Sequence, residues 1–211
     1  KKLSLNGFEE KRIHCIPTFT ASKTTIGKQQ IGSYGLYFGR VTEEKGVETV
    51  IKAYEKLPEY TVKIMGDDTT DEAKRLKKYV ENHKMKNVEF LGFKSGAELE
   101  NVIKGARFTL IPSIWYDNLP NTALESFQYS KPVIASNIGS LPELVIDGEN
   151  GYLFKPSNVE DLIKKIKMLD DDTLVKKMGQ ASRKRLESRF APQTHYEDLM
   201  KIFNEAVKSR K

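Results

Sequence analysis

Short apolar segments alternate with longer amphipathic segments along most of the chain from Gly35 onward. The apolar runs have the length and composition of buried strands. Strands that alternate with helices form parallel sheets with helices packed on both faces. The pattern therefore predicts an α/β domain with a doubly wound, parallel, six-stranded sheet. The expected strands are 36–38, 60–65, 87–91, 107–111, 132–136 and 152–154.

The segments between these runs have the apolar spacing of helices. The clearest stripe lies in residues 47–57 and follows a period of 3.6. After Pro156 the chain is expected to be helical to its end, with Ser157 as the N-cap of a helix and Glu160 completing a capping box. Further helices are expected at 71–83, 96–105, 120–130, 141–146, 173–188 and 192–209.

The first 32 residues follow a different pattern. Residues 1–12 are mostly polar, and residues 12–16 form a short strand-like run that Pro17 closes. A stretch rich in Thr, Ser, Lys, Gly and Gln then continues to Gly32, which is the composition of a linker. We therefore expect the folded domain to occupy residues 33–211.

Composition limits the class of protein only broadly. The chain has 211 residues, of which 38% are apolar, enough for one sizeable α/β core. A net charge of +6 suits an anionic ligand and equally suits solvated helix faces. The one cysteine, Cys15, excludes an internal disulfide framework and a zinc site built on cysteines. No run approaches the roughly 20 apolar residues of a membrane span, and residues 1–12 lack the core of a signal peptide. These features predict a soluble intracellular protein.

Several familiar motifs can be excluded. Residues 27–32 have the glycine spacing of a phosphate loop, but Ser33 and Tyr34 stand where Lys and Ser or Thr are required. The chain has neither the GxGxxG of dinucleotide-binding domains nor the GxSxG of hydrolases. The three histidines, His14, His83 and His195, lie far apart in the sequence and are interpreted as structural or solvated.

The loop after the first expected strand carries two basic residues, Arg40 and Lys45. Gly39 lets the backbone approach a ligand, and two cations beside one loop suit a diphosphate. A cation at the start of a helix is unfavourable against the helix dipole, so Lys45 favours an anion nearby. The alternative is that Lys45 is an ordinary first-turn residue and that Arg40 pairs with Glu43 or Glu44.

Residues 107–130 run from an expected strand through a polar loop into a helix, with Pro120 expected as the first helical residue. Asp117, before the helix, can accept hydrogen bonds from the hydroxyls of a sugar. Glu125, about one turn inside the helix, can accept a pair of hydrogen bonds from a ribose diol. The alternatives are that Asp117 caps the helix and that Glu125 is a solvated helix residue.

The start of this helix is also a candidate anion site, because Asn121 and Thr122 offer first-turn amides to phosphate oxygens. Ligand crevices of open α/β sheets lie outside the carboxyl ends of the strands, so the two loops should face one ligand. Trp115 and Tyr116 either stack on a ring of that ligand or pack in the core.

Four segments together resemble the family 4 glycosyltransferases, which are retaining, nucleotide-sugar-dependent enzymes with two facing Rossmann-like domains, the GT-B fold. The segments are YFGRVTEEKG, EFLGFKS, LIPSIWYDNLPNTALESFQYSKPVIAS and NIGSLPELVIDGENGYLFKPSNVEDL. Their order is that of the C-terminal, donor-binding domain of the family. The resemblance implies that residues 33–211 are this Rossmann-like domain, with a helical C-terminal segment. It also implies that residues 1–32 are the end of an N-terminal domain and the interdomain linker, with the acceptor domain outside this chain.

The resemblance also implies roles for the two loops. Arg40 and Lys45, beside Gly39, would hold the donor's diphosphate and neutralise the departing nucleotide. Glu125 would bind the ribose. The family has two glutamates separated by seven residues, and in this chain Asp117 stands at the position of the first, which shortens its reach to the transferred sugar by one methylene.

Further donor contacts are implied by the same resemblance. Phe93 and Lys94, after the third strand, would meet the base. Asn118 and Leu119 replace part of a turn that is commonly rich in glycine in the family. The donor site would be completed by these two residues together with Asn121 and Thr122 of the first helical turn. Such enzymes need no metal, and no other cofactor is expected.

The resemblance therefore predicts the donor half of a retaining hexosyltransferase that uses a UDP- or GDP-sugar. The acceptor would be a saccharide or a lipid-linked molecule bound by the N-terminal domain, and this chain alone would bind donor without transferring it. A cytoplasmic protein is expected, in peripheral contact with the inner membrane face where the acceptor is lipid-linked, and no nucleic acid partner is expected. The alternatives are an epimerase or a phosphorylase of the same fold, or a polyanion-binding module without enzymatic activity.

Overall fold

The structure is a computed structural model that describes residues 5–10, 13–20 and 30–208. Its centre is a six-stranded sheet in the order β3-β2-β1-β4-β5-β6, in which all neighbouring strands are parallel. The predicted sheet is thus confirmed, and each expected strand lies within two residues of the observed one. The strands are β1 (Tyr34–Phe38), β2 (Thr61–Met65), β3 (Val88–Gly92), β4 (Ala106–Ile111), β5 (Val133–Ser136) and β6 (Gly151–Phe154).

Helices connect the strands and continue after β6. A short 3-10 helix, Glu43–Lys45, precedes the first of them. From residue 34 to residue 208 the α-helices are α1 (Val47–Glu55), α2 (Asp71–Asn82), α3 (Gly96–Gly105), α4 (Asn121–Gln128), α5 (Leu141–Leu144), α6 (Val159–Lys167), α7 (Asp172–Arg189) and α8 (Pro192–Lys208). The helical C-terminal segment that the sequence predicts is therefore present, and residue 209 of the predicted last helix lies outside the described residues.

The helices cover both faces of the sheet. Side chains of a strand alternate between faces, so Tyr37 of β1 packs in one core with Tyr54 of α1 and Leu162 of α6. Leu36 on the opposite face packs with Ile103 of α3 in a second core. A third core joins α4 to α7. Apolar side chains on both faces are the reason that the strands read as continuous apolar runs.

Three helix starts differ from the predictions by one residue, and one of them is that of α7, which begins at Asp172 and not at residue 173. Asn158, and not Ser157, is the N-cap of α6, and its side-chain oxygen accepts a hydrogen bond of 2.9 Å from the Asp161 amide. Ser157 has a φ of 62° and forms the preceding turn, whereas an N-cap is extended. Pro120 is likewise the extended residue before α4 and not its first helical residue.

The predicted strand-like run at residues 12–16 is wrong in its described part, because none of the described residues 13–16 is in a strand. Instead, residues 13–20 lie against the C-terminal helices. Thr20 donates a backbone hydrogen bond of 3.1 Å to Phe190, and Nδ1 of His195 lies 2.9 Å from the carbonyl oxygen of Pro17. Arg12 lies outside the described residues.

The strand order places a crevice at the centre of the sheet. β1 and β4 are neighbours, but the chain continues from β1 toward β2 and from β4 toward β5, on opposite sides. At such a topological switch point the loops that follow the two strands separate and leave room for a ligand at the carboxyl edge. These are the two loops in which the sequence predicts the functional residues.

Candidate functional site

The loop after β1 and the loop after β4 are joined main chain to main chain. The Ile114 amide donates a hydrogen bond of 3.0 Å to the Glu44 carbonyl oxygen. Gly46 has a φ of 67°, and a Cβ on it would lie 2.1 Å from the carbonyl oxygen of Pro112. Any other residue at position 46 would therefore clash with the second loop as well as adopt an unfavourable backbone conformation. The glycine fixes how closely the two loops approach.

A polar network crosses between these loops. Lys45 Nζ donates to Asp117 Oδ1 at 2.7 Å, and the exposed fractions of the two side chains are 19% and 18%. Ser113 Oγ donates to the other carboxylate oxygen, Oδ2, at 2.6 Å. The anion that Lys45 was expected to favour is thus a carboxylate of the chain itself, and both oxygens of that carboxylate have a donor. Asp117 consequently binds across the loops and does not cap α4.

Ser113 was not identified from the sequence. It is 1% exposed and immediately follows Pro112 at the end of β4. A small hydroxyl residue just beyond a buried strand is common as a purely structural feature, so the sequence contains little that distinguishes it. Its function becomes visible only from its contact with Asp117.

Arg40 projects from the same edge with a side chain that is 73% exposed. Its guanidinium lies 3.7 Å from the Glu44 carboxylate, which is a long ion pair between exposed groups and is worth little. Its backbone is held more firmly, because the Tyr37 hydroxyl donates to the Arg40 carbonyl oxygen. Burial raises the pKa of Tyr37, and the charges of Asp117 and Glu44 raise it further, so the hydroxyl stays protonated as the donor. The alternative pairing of Arg40 with Glu44 is therefore observed, although it leaves the guanidinium accessible.

Glu125 lies on α4 and is partly buried, not solvated as the alternative had it. Burial raises the pKa of its carboxyl group. It lines a pocket of about 310 Å³ together with Thr122 of the same helix and Gly39 of the first loop. A hydroxyl donor in this pocket would stabilise the charged carboxylate that burial disfavours.

Two adjacent pockets make up the crevice. The smaller, of about 170 Å³, lies where the loops meet, and Arg40, Lys45, Asp117 and Asn121 line it. The larger is the one that Glu125 lines, and it extends away from the loops along the edge of the sheet. Both pockets are lined by Phe38, Gly39, Arg40 and Thr122.

The loop after β3 lies at the far end of the larger pocket. Phe93 is exposed and Lys94 lies 3.7 Å from Glu98, and both residues line the pocket. Asp67, which follows β2, lines the same end and was not identified from the sequence. Its position just after a strand in the sequence Gly66-Asp67 was a usable signal, since the carboxyl ends of parallel strands share one edge.

Two of the predicted site residues, Asn118 and Leu119, have surroundings other than those expected, and one of the two alternatives for Trp115 and Tyr116 is excluded. Asn118 and Leu119 line neither pocket of the crevice and instead line a pocket of about 610 Å³ with residues 15–18 and Phe190. Trp115 and Tyr116 are 65% and 57% exposed, so the alternative that they pack in the core is wrong. The structure therefore brings together the residues assigned to phosphate, ribose and base, and separates Asn118 and Leu119 from them.

Neither a metal cluster nor a membrane-spanning helix is found in the described part of the chain. Residues 5–10, 13–20 and 30–208 contain no group of three or more His, Cys, Asp or Glu side chains able to hold a metal ion. Over the same residues, each helix is too short or too polar to cross a membrane.

Comparison with known proteins connects this geometry to a family. A family model described as "Glycosyl transferases group 1" matches residues 22–185. An uncharacterized glycosyltransferase of Methanocaldococcus jannaschii is 30% identical over 174 residues, which cover 82% of this chain and 48% of that protein. The chain spans about half the length of the curated relatives it matches.

Solved structures show the same fold. The Anabaena protein HepE, crystallised with UDP-glucose, matches with a TM-score of 0.74 at 22% identity, over 82% of this chain and 49% of HepE. The C-terminal domain of a group 1 glycosyl transferase, LpcC, from Francisella tularensis matches with a TM-score of 0.66 at 26% identity, over 77% of this chain and 88% of that domain. The predicted fold, a Rossmann-like α/β domain of the GT-B glycosyltransferases, is confirmed.

Proposed function

Because the chain belongs to the group 1 glycosyl transferases, we propose that it is the donor-binding domain of a retaining enzyme that transfers a hexosyl group from a nucleotide diphosphate sugar. The observation that carries the proposal is the meeting of the two loops at the switch point of the sheet, with Lys45 and Arg40 on one loop and the start of α4 on the other. A UDP-sugar is the first candidate, since HepE was crystallised with UDP-glucose, and a GDP-sugar is the second.

The diphosphate is assigned to the smaller pocket. Its lining includes two cations, Arg40 and Lys45, and the start of α4 at Asn121 and Thr122, whose first amides have no partner within the helix. A helix start and two cations together form a site for an anion of high charge. As the bond to the sugar breaks, negative charge grows on the departing nucleotide, and these groups stabilise it.

The nucleoside is assigned to the larger pocket. Glu125 would accept hydrogen bonds from both ribose hydroxyls, and this pairing would hold it ionised despite the burial that raises its pKa. Phe93 and Lys94 lie at the far end, where the base would rest, with Asp67 beside them. With these assignments the donor would extend from the smaller pocket into the larger one in the order diphosphate, ribose and base.

The sugar of the bound donor would lie beside Asp117, at the edge of the smaller pocket. Asp117, on the loop after β4, lines the smaller pocket. Its carboxylate can accept hydrogen bonds from the hydroxyls of a sugar. We further propose that the acceptor, a saccharide or a lipid-linked molecule, is bound by a second domain outside these 211 residues. The chain alone would then bind donor and transfer nothing. The family match favours this activity over an epimerase, a phosphorylase or a polyanion-binding module.

Calorimetry with UDP-glucose and GDP-mannose tests the proposal. We expect one of the two donors to bind, and Lys45→Met to weaken that binding by about tenfold or more, because the diphosphate loses a charge-assisted hydrogen bond. The matched control is Lys56→Met, which removes an exposed ion pair to Glu160 remote from the crevice and should leave binding unchanged. The proposal is wrong if neither donor binds, or if both lysine variants bind like the parent chain.

A further inference from the structure

The ion pair between Lys45 and Asp117 raises a question that the proposed donor site does not answer. Lys45 is the cation nearest to the point where the loops meet, and in this structure its ammonium is paired with Asp117 at 2.7 Å. A donor diphosphate in the smaller pocket would require the same ammonium, since both Lys45 and Asp117 line that pocket. Two anions would then compete for one cation.

The surroundings of the pair make this competition significant. Both side chains are mostly shielded from solvent, so the attraction between them is screened less than that of a surface pair. A carboxylate and a diphosphate beside the same ammonium would also repel each other at short range. The negative charge of Asp117 should therefore weaken the binding of any anion in the smaller pocket.

Ser113 determines what happens to Asp117 when the pair opens. Its hydroxyl donates to Oδ2 while Lys45 donates to Oδ1, so the two donors hold opposite oxygens of the carboxylate. Loss of Lys45 would leave Oδ2 in place on a buried, neutral donor. Oδ1 would then need a new donor, because an ionised oxygen that is largely shielded from water is costly without one.

We propose, on the basis of the donor site assigned above, that Asp117 is an internal competitor of the diphosphate for Lys45. Donor binding transfers Lys45 from Asp117 to the diphosphate, and the released Oδ1 accepts a hydrogen bond from a hydroxyl of the sugar. The nucleoside diphosphate alone opens the ion pair without supplying the new donor. The exchange therefore makes the site select the intact nucleotide sugar over the nucleotide product.

Calorimetry of Asp117→Asn with UDP and with UDP-glucose tests the exchange. We expect UDP to bind about three- to tenfold more tightly to the variant than to the parent chain, because the competing charge is gone. The affinity of the variant for UDP-glucose should increase by a smaller factor. The preference for UDP-glucose over UDP should therefore be lower in the variant than in the parent chain. Glu160→Gln is the matched control for net charge, because it removes one carboxylate from an exposed pair with Lys56, and it should change neither affinity.

Weaker binding of UDP to Asp117→Asn would overturn the proposal, since it would show that the carboxylate only positions Lys45 for phosphate. An unchanged preference for UDP-glucose over UDP would also overturn it. Circular dichroism and thermal unfolding would establish that each variant is folded before its affinity is compared.

A crystal structure of the parent chain with UDP-glucose gives a second test that requires no variant. We expect Lys45 Nζ to contact the diphosphate and to lie more than about 4 Å from the Asp117 carboxylate, beyond the range of an ion pair, with a sugar hydroxyl on Oδ1. An intact pair in that complex would refute the exchange. Failure of the parent chain to bind any nucleotide sugar would instead refute the proposed function, so the two failures are distinct.

Discussion

Lys131 offers the sharpest test of what stabilises this domain. Its ammonium lies at the amino-terminal edge of the sheet, with the side chain 1% exposed, and donates to three backbone carbonyl oxygens. The acceptors are Gln30 at 2.7 Å, Lys104 at 2.6 Å and Ala106 at 2.7 Å. One side chain therefore joins the segment before β1, the end of α3 and the start of β4. Replacement of Lys131 by Met keeps the length of the side chain and removes all three hydrogen bonds.

The magnitude follows from two opposing effects. Three carbonyl groups that lose a buried donor cost about 1–3 kcal/mol each, or roughly 3–9 kcal/mol together. Removal of the buried charge offsets part of this loss of stability. Burial lowers the pKa of Lys131 from 10.5 to about 8, and this difference is worth about 3 kcal/mol. We expect Lys131→Met to lower the free energy of unfolding by about 3 kcal/mol near neutral pH.

The effect of Lys131→Met on stability should also depend on pH, which gives a second and independent test. Because the pKa of Lys131 is lower in the folded chain than in the unfolded chain, the unfolded chain holds more protons between about pH 8 and 10.5. The contribution of Lys131 to stability therefore rises with pH in that window, by about 2 kcal/mol at pH 9.5. The destabilisation caused by Lys131→Met should be larger at pH 9.5 than at pH 7 by this amount.

Urea unfolding followed by circular dichroism at pH 7 and pH 9.5 measures both quantities. Lys104→Met is the control, because its ammonium forms an exposed pair with Glu100 on α3 and its substitution should cost less than about 0.5 kcal/mol at either pH. A gain in stability for Lys131→Met, or a loss that does not change between pH 7 and pH 9.5, would refute this account of Lys131.

Two further predictions concern the crevice. Gly46→Ala should lower the free energy of unfolding by more than about 2 kcal/mol, because the new Cβ would lie 2.1 Å from the Pro112 carbonyl oxygen at a positive φ, and urea unfolding measures this loss. The affinity for UDP-glucose should rise with pH as Glu125 ionises, at a pH above the usual pKa of a glutamate because burial raises that pKa. Calorimetry should find no such rise in Glu125→Gln, and a rise that persists in that variant would assign the titration to another group. UDP-glucose suits this test because its diphosphate, substituted at both ends, does not titrate near neutral pH.

Much of the fold and part of the site could be predicted from the sequence. The strands could be located because they are short runs rich in apolar residues, and those of β1, β4 and β5 are largely buried on both faces. The loops around Arg40 and Asp117 could be located because ligand crevices of such sheets lie at the carboxyl ends of the strands. These inferences depend on the order of residues along the chain.

The remaining features depend on contacts between distant residues. Lys45 and Asp117 are 72 positions apart, and no local pattern indicates that their side chains meet. The sequence also could not show that Asn118 and Leu119 turn away from the crevice toward residues 15–18. Even the N-cap of α6 depended on which of two adjacent polar residues, Ser157 or Asn158, had the extended backbone conformation.

The hydrogen bond from the Ile114 amide to the Glu44 carbonyl oxygen has a consequence for how donor preference can change. Main-chain atoms alone set the spacing of the two loops at this point, so the side chains at positions 44 and 114 do not determine it. Side chains that line the smaller pocket, such as the exposed Asn121, can therefore vary in charge and shape while the scaffold beneath stays constant. Position 121 is a suitable place to randomise in a library that seeks a new sugar specificity, and Gly46 is the position to keep fixed.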